Sequence, residues 1–161
     1  DVILNKTTFI ISESNRRGIY AELLLGQKRH YMNKKENIDF WLASSEENFK
    51  SMNNMFKSKE YMWSLFIGHL VIEKLLKANY VKMVDSNVPR THDLLKLAVS
   101  AGIEIEEKKK DDLQYITLFN IETRYDEYKR DFQKKCTKIF TEDNINKIKE
   151  LRKWLKENLK K

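Results

Sequence analysis

The chain has 161 residues, 41% hydrophobic and 34% charged, with a formal net charge of +7 at pH 7. That length suits one domain with one substantial core. Its four glycines and one proline are too few for the many tight turns of a sandwich or barrel, so long uninterrupted helices are expected.

Residues 1–38 read as a separate N-terminal segment. Val2-Ile3-Leu4 and the β-branched run from Thr7 to Ile11 suggest short strands. The polar break Ser12 to Gly18 and a short element over Ile19 to Gln27 follow. This irregular or β-containing piece is expected to be the tail of a preceding domain.

Residues 39–161 carry the helical period. Asp39 is the expected N-cap of a helix bearing Trp41, Leu42, Ser45, Phe49, Met52 and Phe56. A second helix, from about Lys59 to Met83, is apolar nearly all round and must be enclosed by the others. Its His69, Glu73, Lys74 and Lys77 argue against a membrane span. Asp85 to Pro89 is the strong turn cluster, followed by a third helix over His92 to Ala101 that Gly102 ends. The fourth helix spans about Glu106 to Tyr125, with Leu113, Ile116, Leu118, Phe119 and Ile121 expected inside. After a less regular connection, Thr141-Glu142-Asp143 is expected to cap a final amphipathic helix with Ile145, Ile148, Leu151, Trp154, Leu155 and Leu159 inward. The fold class is therefore all-α, an antiparallel bundle of about five helices.

Charge and cysteine content narrow the setting. The lone Cys136 cannot close an internal disulfide, which fits a reducing, cytoplasmic compartment. Residues 129–161 hold twelve basic groups against five acidic ones. An anionic partner such as RNA explains that surplus, and so does a lysine-rich solvated surface.

Three groups of residues can carry chemistry. His69, Glu73 and Lys77 lie four apart on one face of the core helix, where burial requires pairing; they form a structural network or the floor of a pocket. His92-Asp93 opens the third helix, where His92 can orient a polar network or bind an anion. Arg124, Tyr125 and Tyr128 close the fourth helix; arginine with tyrosine suits phosphate and base recognition, and equally a helix end tied down by a salt bridge.

The order of these pieces says more than any one of them. Trp41-Leu42-Ala43 precedes Glu73-Lys74-Leu75-Leu76-Lys77-Ala78, then Pro89-Arg90-Thr91-His92-Asp93-Leu94, then Glu122-Thr123-Arg124-Tyr125. Over about Ile38 to Leu159 this succession resembles the HEPN family, the higher-eukaryote and prokaryote nucleotide-binding domain. The resemblance implies a helical bundle that often dimerises and binds nucleotide or RNA. Many such proteins are metal-independent ribonucleases of toxin–antitoxin systems, paired with a minimal nucleotidyltransferase. It also implies ligand-binding roles for Lys77 and Arg124 on the anion, for Tyr125 or Tyr128 in stacking, and for Glu73 and His92 in positioning.

One departure matters. The ribonuclease members carry an arginine followed, after four to six residues, by a histidine. Positions 129 to 131 after Arg124 are Lys129, Arg130 and Asp131, and His30, His69 and His92 lie elsewhere. Binding without family-type cleavage is the expectation, with no catalytic residue, metal or cofactor assigned. A ribonuclease toxin with a variant active site and an antitoxin-like structural partner are the alternatives.

Overall fold

The first described helix is fixed by its cap. The Asn33 side chain accepts from the Glu36 N–H at 3.0 Å, and the Glu36 carboxylate accepts from the Asn33 N–H at 2.8 Å, a reciprocal capping box. In the computed structural model, which describes residues 32–161, α1 accordingly spans Lys34–Lys57. Asp39 is thus not the cap that its position suggested. It sits inside the helix and pairs with Lys35 at 2.7 Å. The strand-like runs read in the first part of the chain lie outside the described residues.

Five more helices follow: α2, Tyr61–Met83; α3, Leu94–Ser100; α4, Glu107–Arg124; α5, Asp126–Lys135; and α6, Lys138–Asn158. Among the described residues there is no strand, and no helix is long and apolar enough to cross a membrane. The all-α reading holds, with one helix more than expected. The extra helix, α5, buries only Phe132, so no apolar stripe announced it. Its acidic first turn and basic last turn suit the helix dipole instead. α6 opens three residues before Thr141, because Thr137 caps it by accepting from the Phe140 N–H. Thr141 is buried within the helix.

α2 is the axis of the bundle and packs against all five other helices. Leu65, Val71, Ile72, Leu75, Leu76, Ala78 and Val81 are fully buried along it. Trp63 in its first turn emerges to the surface. On α4, Leu113, Ile116 and Phe119 point into the core, but Leu118 and Ile121, expected inside, are each 41% exposed. Asn120 and Thr123 take the inward positions nearer the helix end, so the buried face of α4 turns polar there.

Two left-handed residues end helices. Gly102, at φ +67°, closes α3: its N–H donates to Val99 O, and the next N–H reaches Ala98 O. Lys59, at φ +64°, makes the same turn between α1 and α2, where a side chain costs about 1 kcal/mol relative to glycine.

Close approach is the other constraint. A Cβ on Gly68 would lie 2.5 Å from Ile148 Cδ1 and 3.1 Å from Met52 Sδ, so this glycine lets α1 and α6 converge on α2. Helix propensity favours alanine there by about 1 kcal/mol, but overpacking costs about 1–3 kcal/mol. Gly68→Ala should therefore lower stability by about 1 kcal/mol in urea denaturation. Adding Ile148→Val, which removes the crowding methyl, should give a double variant less destabilised than the sum of the two single changes.

Candidate functional site

The core helix presents three polar side chains where apolar ones would be expected. His69, Glu73 and Lys77 recur every four residues and share one face of α2. His69 is fully buried and Glu73 is 4% exposed. An unpaired carboxylate there would be very costly. Lys77 Nζ donates to Glu73 Oε1 at 2.7 Å, and His92 Nδ1 donates to Glu73 Oε2 at 3.0 Å. Both oxygens are thereby held. The Lys77 ammonium also lies 4.9 Å from the centroid of the Trp41 ring, so α1 closes the far side of the pair.

His92 reaches α2 because α3 starts later than the sequence suggested. Asp93 is the N-cap, accepting from the Lys96 N–H at 2.9 Å, so the helix does not begin at His92. His92 therefore remains in the non-helical connection before α3. Thr91 Oγ1 accepts from the Asp93 N–H, and Thr117 on α4 accepts from the Leu94 N–H, which pins both flanks. The His92 carbonyl is pinned as well, accepting from His69 Nε2 at 2.9 Å.

That contact sets the His69 tautomer. A carbonyl only accepts, so Nε2 carries the proton and Nδ1 is left as an acceptor. Asn120 Nδ2 donates to Nδ1 at 3.4 Å, and the Asn120 oxygen accepts from Arg124 at 3.3 Å. A continuous chain of contacts results: Arg124, Asn120, His69, the His92 backbone, the His92 ring, Glu73 and Lys77. Burial pushes the His69 imidazole below its usual range, so it stays neutral and its 3.8 Å approach to Glu73 is not an ion pair. Burial acts to raise the Glu73 carboxyl, but the hydrogen bonds from Lys77 and His92 outweigh it and hold the group below the ordinary value.

Of the residues singled out from sequence, Glu73, Lys77 and His92 meet directly, and Arg124 joins them through Asn120 and His69. Tyr125 and Tyr128 do not join. Both rings are exposed, Tyr125 as the residue between α4 and α5 and Tyr128 in the first turn of α5. Among the described residues, Arg124 is tied to Asn120 and not to a carboxylate. Asn120 escaped the sequence reading, although its place four residues before Arg124 on the buried face of α4 was the available signal. Neither a groove of about 340 Å³ beside α3 (Asp93, Lys96 and Gln114 in its walls) nor a smaller one of about 200 Å³ at the start of α2 includes a member of this network.

The family model of the HEPN domain matches residues 38–159. The chain belongs to the HEPN family. No curated protein and no solved structure was found to match it. The match spans all the residues of the network, so within this HEPN domain the Glu73-centred contacts join α2, the α2–α3 connection and α4.

The network makes stability depend on pH with a definite sign. His69 and Glu73 both have folded-state values below their ordinary ones. Each therefore contributes stability that is present above its unfolded value and is lost as pH falls. The urea midpoint should be flat above about pH 7 and should decline below about 6.5, the usual histidine value. A second decline should follow where carboxylates titrate. His69→Gln should remove the first decline and leave the second, as read from urea curves taken at half-unit pH intervals.

Proposed function

We propose that this HEPN domain binds nucleotide or RNA through phosphate at the Arg124–His92 edge of the network. The observation that carries the reading is the state of Arg124. Among the described residues its guanidinium makes a single 3.3 Å bond to Asn120, is otherwise exposed, and hangs on the same contact chain as the exposed His92 ring. An arginine with most of its donors facing out is suited to a phosphate. Lys77, held between Glu73 and Trp41, adds positive field more than direct contact. Tyr125 or Tyr128 stacks on a base. Glu73 and His92 position the set.

In this reading the domain works in a cytoplasmic toxin–antitoxin setting beside a minimal nucleotidyltransferase, as a homodimer, and without cleavage of the arginine–histidine type. Exposed Leu118, Ile121, Tyr125 and Tyr128 along α4 and α5 support a protein contact there.

Anisotropy with labelled single-stranded RNA, competed by free nucleotide, tests the proposal. Arg124→Ala should weaken binding by roughly tenfold or more, the worth of a charged hydrogen bond. The same RNA on a denaturing gel in EDTA decides between the alternatives. Cleavage lost in Arg124→Ala would favour a variant-site ribonuclease. An absence of both binding and cleavage would leave the structural partner or antitoxin scaffold.

A further inference from the structure

We infer that His92 is a nucleophilic histidine that takes a phosphoryl group on Nε2. The inference rests on the phosphate-binding reading of the same edge and adds a covalent step to it. Glu73, hydrogen-bonded at 3.0 Å, only accepts, so the proton sits on Nδ1 and the Nε2 lone pair is left open. Nε2 makes no hydrogen bond among the described residues, and the His92 side chain is 54% exposed. The ring cannot turn without losing Glu73, whose other oxygen is held by Lys77. A nucleophile oriented by a second group that is itself fixed is the arrangement that nucleophilic catalysis needs.

The charges agree. When Nε2 bonds to phosphorus, the ring becomes cationic, and the buried Glu73 carboxylate is already in contact with Nδ1–H to stabilise it. Lys77 and Arg124 together outweigh Glu73 by one positive charge, which suits an arriving phosphoryl group. Use of His92 as a general base instead would call for a second group to protonate the leaving oxygen. His69 cannot serve, because it is enclosed, neutral and engaged at both ring nitrogens. Lys77 is engaged by Glu73 and Trp41. Direct attack needs only the one open nitrogen.

The donor is a phosphoryl compound with a good leaving group, either a nucleoside triphosphate or a small donor. The Nε2 lone pair attacks the terminal phosphorus, the N–P bond forms, and the bond from phosphorus to the leaving oxygen breaks. That oxygen departs with the electron pair, so from a triphosphate the products are nucleoside diphosphate and an Nε2 phosphoramidate; from phosphoramidate, whose nitrogen arrives protonated, the P–N bond breaks instead and ammonia leaves with the pair. Nothing is oxidised or reduced, and the proton stays on Nδ1, hydrogen-bonded to the Glu73 carboxylate.

The full chain is incubated in separate arms with radiolabelled ATP and with phosphoramidate. A label that survives alkali, is lost in acid and maps by mass to the peptide containing His92 is expected from at least one donor. A label from ATP identifies a nucleotide donor; a label from phosphoramidate alone identifies a small one. His92→Gln, a change on a ring more than half exposed, should fold and carry no label. Glu73→Gln should slow labelling by roughly tenfold or more through loss of orientation, read as the first-order rate at saturating donor so that any weaker binding does not contribute. Label retained in His92→Gln overturns the inference. No label from either donor, in a protein that binds nucleotide, overturns it and leaves the binding reading standing. Neither label nor binding overturns both.

Discussion

A carboxylate sits near the middle of the most enclosed helix, and much of the local architecture exists to keep it ionised there. Removing one partner from such a group typically costs about 3–5 kcal/mol. Lys77 supplies compensation from the same helix, which any amphipathic helix offers at this spacing. His92 supplies the rest from outside it, and that contact holds the α2–α3 connection against the bundle. The imidazole of His69 extends the tie to α4 through Asn120. Three separate parts of the chain are thereby fixed relative to one another by a few polar contacts in an apolar interior.

Such contacts need a rigid frame, and small residues provide it. Gly68 lets α1 and α6 converge on α2. Ser45 Oγ donates to Val71 O and Ser64 Oγ donates to Met52 O, both at 2.9 Å, so α1 and α2 are stitched at two heights. Asn79 on α2 donates to the Leu155 carbonyl of α6. With both neighbours held this closely, the face bearing His69, Glu73 and Lys77 has little freedom to rotate away from His92.

The basic surplus has a different place. Several of its side chains lie over aromatic rings or against carboxylates outside the network: Lys147 over Tyr115, Lys129 over Trp63, and Arg152 and Lys156 on Glu46. The net charge of the last part of the chain therefore decorates α5 and α6 and does not itself build the network. What distinguishes the candidate site is geometry, an arginine and an imidazole presented by a buried scaffold. Family membership supports a nucleotide- or RNA-related function in general, and the histidine of this network does not come from the family's arginine–histidine spacing.

Sequence alone settled the features that follow from local periodicity. The scarcity of glycine and proline, the all-round apolar helix from Tyr61 and the four-residue recurrence of His69, Glu73 and Lys77 are short-range patterns that the backbone obeys directly, and Gly102 ends α3 because only a residue tolerant of positive φ suits that turn. The order of motifs was enough to indicate the HEPN family. Helix starts at Asn33, Asp93 and Thr137 depended on which of several side chains captured the free N–H groups, a competition that sequence leaves open. α5 buries one large side chain and so left almost no periodic trace. Above all, the pairing of Glu73 with His92, nineteen positions apart, and of His69 with Asn120, fifty-one apart, was decided only by packing. A buried charge dictates that it must have partners, but the three-dimensional path of the chain chooses them.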